Sequence, residues 1–195
     1  ELRGLALGQI LGIFGQGVLG GITVLTGLHP ATVAAHFLLS IILIAGATSL
    51  RAQRYAPSVK IQAPALVKKI ATAHIFVTFL VLILGTVVTG SGPHAGDATA
   101  ARFPFDLRTV AWLHADVVIA LLGITFGLFV VHEVSAHTKK RLKIFLAIAL
   151  SQGLIGYVQW FTDLPEILVG LHLAGSTLVW ISSWRIWLSV TTKNG

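Results

Sequence analysis

Six runs of apolar residues, separated by shorter polar stretches, set the pattern of this 195-residue chain. They fall near residues 5–26, 30–50, 69–90, 109–132, 143–162 and 166–190. Each is long enough to cross a bilayer, which takes roughly 20 residues in a helix. Helix is the expected conformation in every run, because an open sheet edge would strand its backbone polar groups in lipid. The pattern predicts an all-α polytopic membrane protein with six transmembrane helices.

Composition strengthens this picture. Hydrophobic residues make up 55% of the chain and charged residues only 11%, less than half of the roughly 25% that is typical of soluble domains. The mean hydropathy is +0.86, so lipid is the natural solvent. The formal net charge of +7 would ordinarily suggest nucleic acid, but the basic residues are gathered in the polar gaps. Arg51, Arg54, Lys60, Lys68 and Lys69 lie between the second and third runs, and Lys139, Lys140, Arg141 and Lys143 between the fourth and fifth. The first–second gap has no Lys or Arg, and the fifth–sixth carries Asp163 and Glu166. The positive-inside rule turns this alternation into a topology. The two basic gaps and both termini are expected on the cytoplasmic side, and no nucleic-acid partner is expected. Trp160 and Trp187 sit near run ends, as interfacial aromatics do. Cysteine is absent, which excludes disulfides, thiolate metal sites and cysteine nucleophiles. Methionine is absent too and the chain opens at Glu1, so a fragment or processed form is expected.

An ungapped internal repeat links the first helix pair to the last. At an offset of 136 residues, Gln16, Gly17, Gly20, Thr26, Leu28, Val33, His36 and Ser40 match Gln152, Gly153, Gly156, Thr162, Leu164, Val169, His172 and Ser176. Shared Leu and Val mean little in apolar segments, whereas Gln, His and Gly in register point to duplication. The copies are offset by four helices, an even number, so the repeat is parallel. The expected organisation is one and a half copies of a four-helix bundle. Residues 1–50 form the second helix pair of an N-terminal half and 51–68 a cytoplasmic linker. Residues 69–190 form a C-terminal four-helix half and 191–195 a tail. The missing first pair is expected to precede residue 1 in an eight-helix parent.

Depth sorts the eight histidines. His36, His114 and His172 each lie about six residues inside the outer end of their run, roughly 9–12 Å below the outer surface. Three helices therefore present imidazole at one level, two of them at repeat-related positions. Neutral imidazole is a strong iron ligand, and a haem held between helices takes one from each side. His114 and His172 belong to one half and are expected to be the axial pair. His36 is expected to pair with a residue outside this chain. Small neighbours (Gly170, Ala174 and Gly175; Ala111 and Ala115) leave room for a flat ring. The competing explanation for each is a packing histidine bonded to a neighbouring helix. His74 lies at the wrong depth for the cluster and is expected to be structural or interfacial. His132 and His137 are expected to be solvated, and His29 and His94 belong to outer loops. Asp116, the only acid inside a run, points about 200° away from His114 on a helix and is a candidate for interhelical pairing or a proton path. Gln16 and Gln152 are candidates for interhelical hydrogen bonds, the favoured reading, or for lining a pocket. Arg102 and Arg108, in the longest outer loop, are candidates for haem propionate contacts, and ordinary solvated charge explains them equally well.

These segments resemble a known family. GTVVTGSGPHAGD at 85–97 and LGGITVLTGLHPATVAAHFLLS at 19–40 resemble the fifth-helix end and the third-to-fourth helix turn of bacterial, particularly actinobacterial, haem A synthases. LHADVV at 113–118 and LPEILVGLH at 164–172 resemble the segments bearing that family's sixth- and eighth-helix histidines. The resemblance implies an eight-helix membrane oxidoreductase of two similar halves that oxidises a methyl group of haem O to the formyl group of haem A for cytochrome oxidase biogenesis. It implies that His114 and His172 ligate a haem b iron and that His36 helps hold the substrate haem. It also implies haem O synthase as a supplier of substrate. The electron donor is not legible in the sequence, and a homo-oligomer is compatible with it. The family's second-helix histidine and catalytic glutamate have no counterpart here, because the chain starts at the third helix. Two rivals stay open. A di-haem b-type electron-transfer cytochrome fits the composition and histidine depth equally well. A parallel-repeat transporter would place its polar residues nearer the midplane.

Overall fold

The computed structural model describes residues 2–54, 63–93 and 99–191. Among these residues the chain is all-helical, with six α-helices and no strand: α1 (Leu2–Leu25), α2 (Pro30–Arg54), α3 (Ala65–Ser91), α4 (Leu107–Val130), α5 (Ala136–Phe161) and α6 (Glu166–Thr191). All six are long and apolar enough to span a membrane, so the chain is multi-pass by length and composition.

The helices match the predicted runs, with ends shifted by local chemistry. α5 begins seven residues before the predicted 143 because the Ser135 side chain caps it, accepting from the Thr138 backbone N–H at 3.2 Å. The basic segment 139–143 is therefore helical rather than loop. α4 starts at an Asp106 cap whose carboxylate accepts from the Thr109 N–H and hydroxyl at 2.8 and 2.7 Å. Part of the predicted 51–68 linker is also helical, since α2 runs to Arg54 and α3 starts at Ala65 after Pro64. Residues 55–62, with Lys60, lie outside the described residues, as do His94 and Asp97.

Helices α3, α4, α5 and α6 close into a ring in which each packs on the next and α6 returns to α3. α4 and α6 are thus diagonal partners, and none of their Cα atoms approach within 8 Å. α2 packs in the seam between α3 and α6, and α1 packs on α2 alone. One end of the molecule carries the α1–α2 and α5–α6 turns and the α3–α4 loop. The other, basic end carries the α2–α3 and α4–α5 connections.

Core packing is confined to part of the bundle. Val67, Ala71, Val81, Leu121, Leu128, Leu142, Phe145, Ala149, Val179, Ile186 and Val190 form one buried apolar cluster, all at mid-height or toward the basic end. Beyond that level the only buried residues on α4, α5 and α6 are Gln159 and Gly175. Burial on α4, α5 and α6 is thus concentrated from mid-height to the basic end.

The seam around α2 is stitched by indoles. Trp180, Trp184 and Trp187 stack along α6 with centroid spacings of 5.5 and 5.0 Å. Their Nε1–H groups donate to the Ile41 carbonyl, Ser49 Oγ and Thr72 Oγ1 at 2.8, 2.8 and 3.3 Å. Trp187, expected at the interface, is half-buried and used for packing. Trp160 is exposed near the end of α5.

The repeat is visible in the backbone. Gly27 and Leu28 after α1, and Asp163 and Leu164 after α5, all adopt left-handed conformations, with φ between 56° and 61°. Leu28 N–H donates to the Thr23 carbonyl and Leu164 N–H to the Gln159 carbonyl, both at 2.9 Å. Both helices thus end in the same Schellman-like reversal, at positions related by the 136-residue offset.

Candidate functional site

The helix pairs α1–α2, α3–α4 and α5–α6 share one local arrangement. In each, a glycine on the first helix faces a histidine on the second. A methyl group built on Gly20, Gly85 or Gly156 would lie 3.3, 3.4 or 3.6 Å from Cε1 of His36, His114 or His172 respectively. The absence of a side chain lets each ring lie against the neighbouring backbone. Sequence comparison had paired only the first and third of these units, since Gly85 and His114 stand at a different separation. The Gly–His facing, visible only in three dimensions, brings in the middle pair.

All three histidines are half-buried, and Nδ1 of each is enclosed without a hydrogen-bond partner. The Val81 carbonyl faces His114 and the Gln152 carbonyl faces His172, but neither brings Nδ1 into hydrogen-bonding geometry. An enclosed polar atom left unpaired is uncommon enough to need a cause. His114 and His172 stand on the diagonal helices α4 and α6, toward the end opposite the basic one. His36 stands on α2, outside the ring.

Glutamines flank the two repeat-related histidines. Gln16 Nε2 donates to the His36 carbonyl at 3.1 Å and to Ser40 Oγ, as expected of an interhelical residue. Gln152 packs against Gly175, where a side chain would collide with it. The Oε1 atoms of both glutamines are buried and unpaired. Beside His114 the corresponding place is taken by Val81, so the two diagonal histidines have unequal polar surroundings.

Arg102 and Arg108, the two candidates for propionate contacts, meet different groups. Arg102 donates to the Pro93 and Ala100 carbonyls at 2.8 and 3.1 Å, bracing the loop. Arg108 stacks over Trp112 at 4.7 Å, on a face of α4 about 120° from His114. Asp116 is exposed on the far side of α4. His29, His132 and His137 are exposed.

Phe103 closes the loop over α3. Its N–H donates to the Gly90 carbonyl at 2.9 Å, and its ring occupies the space a Gly90 side chain would need. No sequence signal marked this contact.

Among the described residues no group of three or more His, Cys, Asp or Glu side chains could hold a bare metal ion. A cavity of about 300 Å³, lined by Phe129, Ala136, Lys139, Lys140 and Lys143, lies at the basic end, away from His114 and His172. Comparison with family models, with characterised proteins and with solved structures returns no match for the chain.

Proposed function

We propose that this chain is a haem-binding membrane oxidoreductase, with His114 and His172 as the axial ligands of one haem b between α4 and α6. The observation that carries the proposal is that two helices diagonal to each other in one ring each bear a histidine packed on a glycine of its neighbour, with Nδ1 enclosed. Each ring turns Cε1 toward a glycine-bearing helix, which leaves Nε2 as the nitrogen to meet iron. Gly85 and Gly156 set how deeply each ring lies against its neighbour. A haem with both axial positions filled by histidine supplies one-electron transfer.

The motif resemblance extends this to a haem A synthase, in which the α1–α2 pair and His36 hold haem O, the substrate, while the C-terminal bundle passes electrons. The recurrence of the Gln–Gly–His–Ser arrangement at 16, 20, 36 and 40 supports a second haem-holding position. Of the two arginines, neither is poised for a propionate as it stands, and Arg108 would have to leave Trp112 to serve.

Extraction and chromatography of the pigment from the purified chain tests the reading. Haem b together with haem O or haem A supports the synthase. Haem b alone supports a b-type cytochrome, and a folded chain that takes up no haem contradicts both.

A further inference from the structure

His74 is fully buried, and it touches all three other helices of the ring. Its Nε2 lies 3.0 Å from Thr125 Oγ1 on α4, and its Nδ1 lies 3.0 Å from Ser183 Oγ on α6. Phe145 of α5 meets the ring edge-on at 4.7 Å between centroids. Hydroxyl protons settle the roles. Thr125 Oγ1 donates to the Leu121 carbonyl at 2.7 Å, so it accepts from His74 Nε2–H. Nδ1 then accepts from the Ser183 hydroxyl. Thr78 Oγ1 donates to the His74 carbonyl at 2.8 Å within α3 and lies 2.9 Å from Ser183 Oγ. One neutral imidazole therefore spans the diagonal between α4 and α6, whose Cα atoms stay more than 8 Å apart.

Its place relative to the candidate site is regular. Thr125 follows His114 by eleven residues, Ser183 follows His172 by eleven, and His74 precedes Gly85 by eleven. Eleven residues are three helical turns to within about 20°. The brace thus lies on the same helix faces as the site, about 16 Å toward the basic end. At the 136-residue offset, Ser183 corresponds to Ala47 on α2, so the hydroxyl on which the brace depends is particular to α6.

We propose that His74 is a positioning residue: its imidazole sets the separation and register of α4 and α6, and through them the approach of His114 to His172. The first part holds with or without a cofactor, and the second rests on the haem reading above.

The chain has no cysteine, so a single pair of nitroxide labels can be introduced through Ile119→Cys and Leu178→Cys, at exposed positions of α4 and α6. Double electron–electron resonance then reads the α4–α6 distance in the labelled parent, in His74→Ala, and in Thr125→Val with Ser183→Ala, which keeps the ring and its volume. A narrow distribution in the parent that broadens or shifts in both variants is expected. Unchanged distributions overturn the brace, whatever the haem content. On haem-loaded protein without labels, the low-spin electron paramagnetic resonance signal and midpoint potential are expected to shift in the same variants. A changed helix distance with an unchanged haem signal overturns the second part. A changed distance in a chain that binds no haem upholds the brace and removes the haem reading instead.

Discussion

Gly85 and His114 face each other so closely that a methyl group on Gly85 would stand 3.4 Å from the ring Cε1. The same relation holds for Gly20 with His36 and for Gly156 with His172, at 3.3 and 3.6 Å. A glycine beside each imidazole lets a flat ring lie against a helix backbone with Nε2 turned away.

This spacing predicts a graded response to added bulk. Gly156→Ala meets His172 at ordinary van der Waals distance and is expected to be tolerated. Gly20→Ala is tighter and is expected to displace His36 slightly. Gly85→Val overpacks the interface, at a typical cost of about 1–3 kcal/mol, and moves the His114 ring. Haem content per chain, measured by pyridine haemochrome on purified variants, is expected to fall in Gly85→Val and to hold in Gly156→Ala. Equal haem content in both would show that ring position against the glycine is unimportant.

The twin helix reversals give a prediction independent of any cofactor. Gly27 and Asp163 occupy equivalent left-handed positions, with φ of 61° and 58°. A side chain in that conformation costs roughly 1–2 kcal/mol, and Asn or Asp tolerates it best. Gly27→Val is expected to lower the Tm in detergent, whereas Asp163→Gly is expected to leave it unchanged or raise it. A lower Tm for Asp163→Gly would mean that the Asp side chain supports the turn.

Trp180 is 4% exposed and donates to the Ile41 carbonyl across the α2–α6 seam. Trp180→Phe removes one buried hydrogen bond, worth about 1 kcal/mol. Trp180→Ala also opens a cavity, and such truncations cost about 3–5 kcal/mol. Thermal unfolding followed by tryptophan fluorescence is expected to rank the parent above Trp180→Phe and Trp180→Ala last. Parity between the two variants would assign the seam's stability to the neighbouring indoles.

Asp106 links stability to acid. Its bonds from the Thr109 hydroxyl and then the Thr109 N–H hold the carboxyl below its ordinary 3.8. A carboxyl depressed by folding contributes stability above its unfolded pKa and loses it as pH falls through the lower folded value. The cap is therefore intact at neutral pH and fails below pH 3.8. Asp106→Asn keeps a capping oxygen and is expected to flatten the acid limb of Tm against pH. An acid limb as steep as the parent's would assign it to other groups.

Much of this molecule was legible from periodicity. Six apolar runs and the alternation of basic gaps gave six helices, and the 136-residue register anticipated the matching reversals at Leu28 and Leu164. The start of α5 was missed because Lys139, Lys140 and Arg141 read as loop, while the Ser135 cap that makes them helical is a single-residue signal. The depth of His36, His114 and His172 could be counted along each helix. Ring packing across helices could not, so the part played by Gly85 and the diagonal relation of α4 to α6 emerged only in three dimensions. His74 was rightly set apart by depth, but its partners Thr125 and Ser183 are 51 and 109 residues away and carry no local mark. Arg102 and Arg108 were singled out on charge alone, and charge does not reveal their contacts with backbone carbonyls and with Trp112.

The most direct test of the central claim is the dithionite-reduced minus oxidised visible spectrum of the purified chain beside His114→Ala and His172→Ala. Sharp α and β bands of a six-coordinate haem in the parent, lost or converted to a high-spin form in each single variant, are the predicted result. Bands that survive both substitutions unchanged, or a folded parent that remains colourless with added haemin, would contradict it.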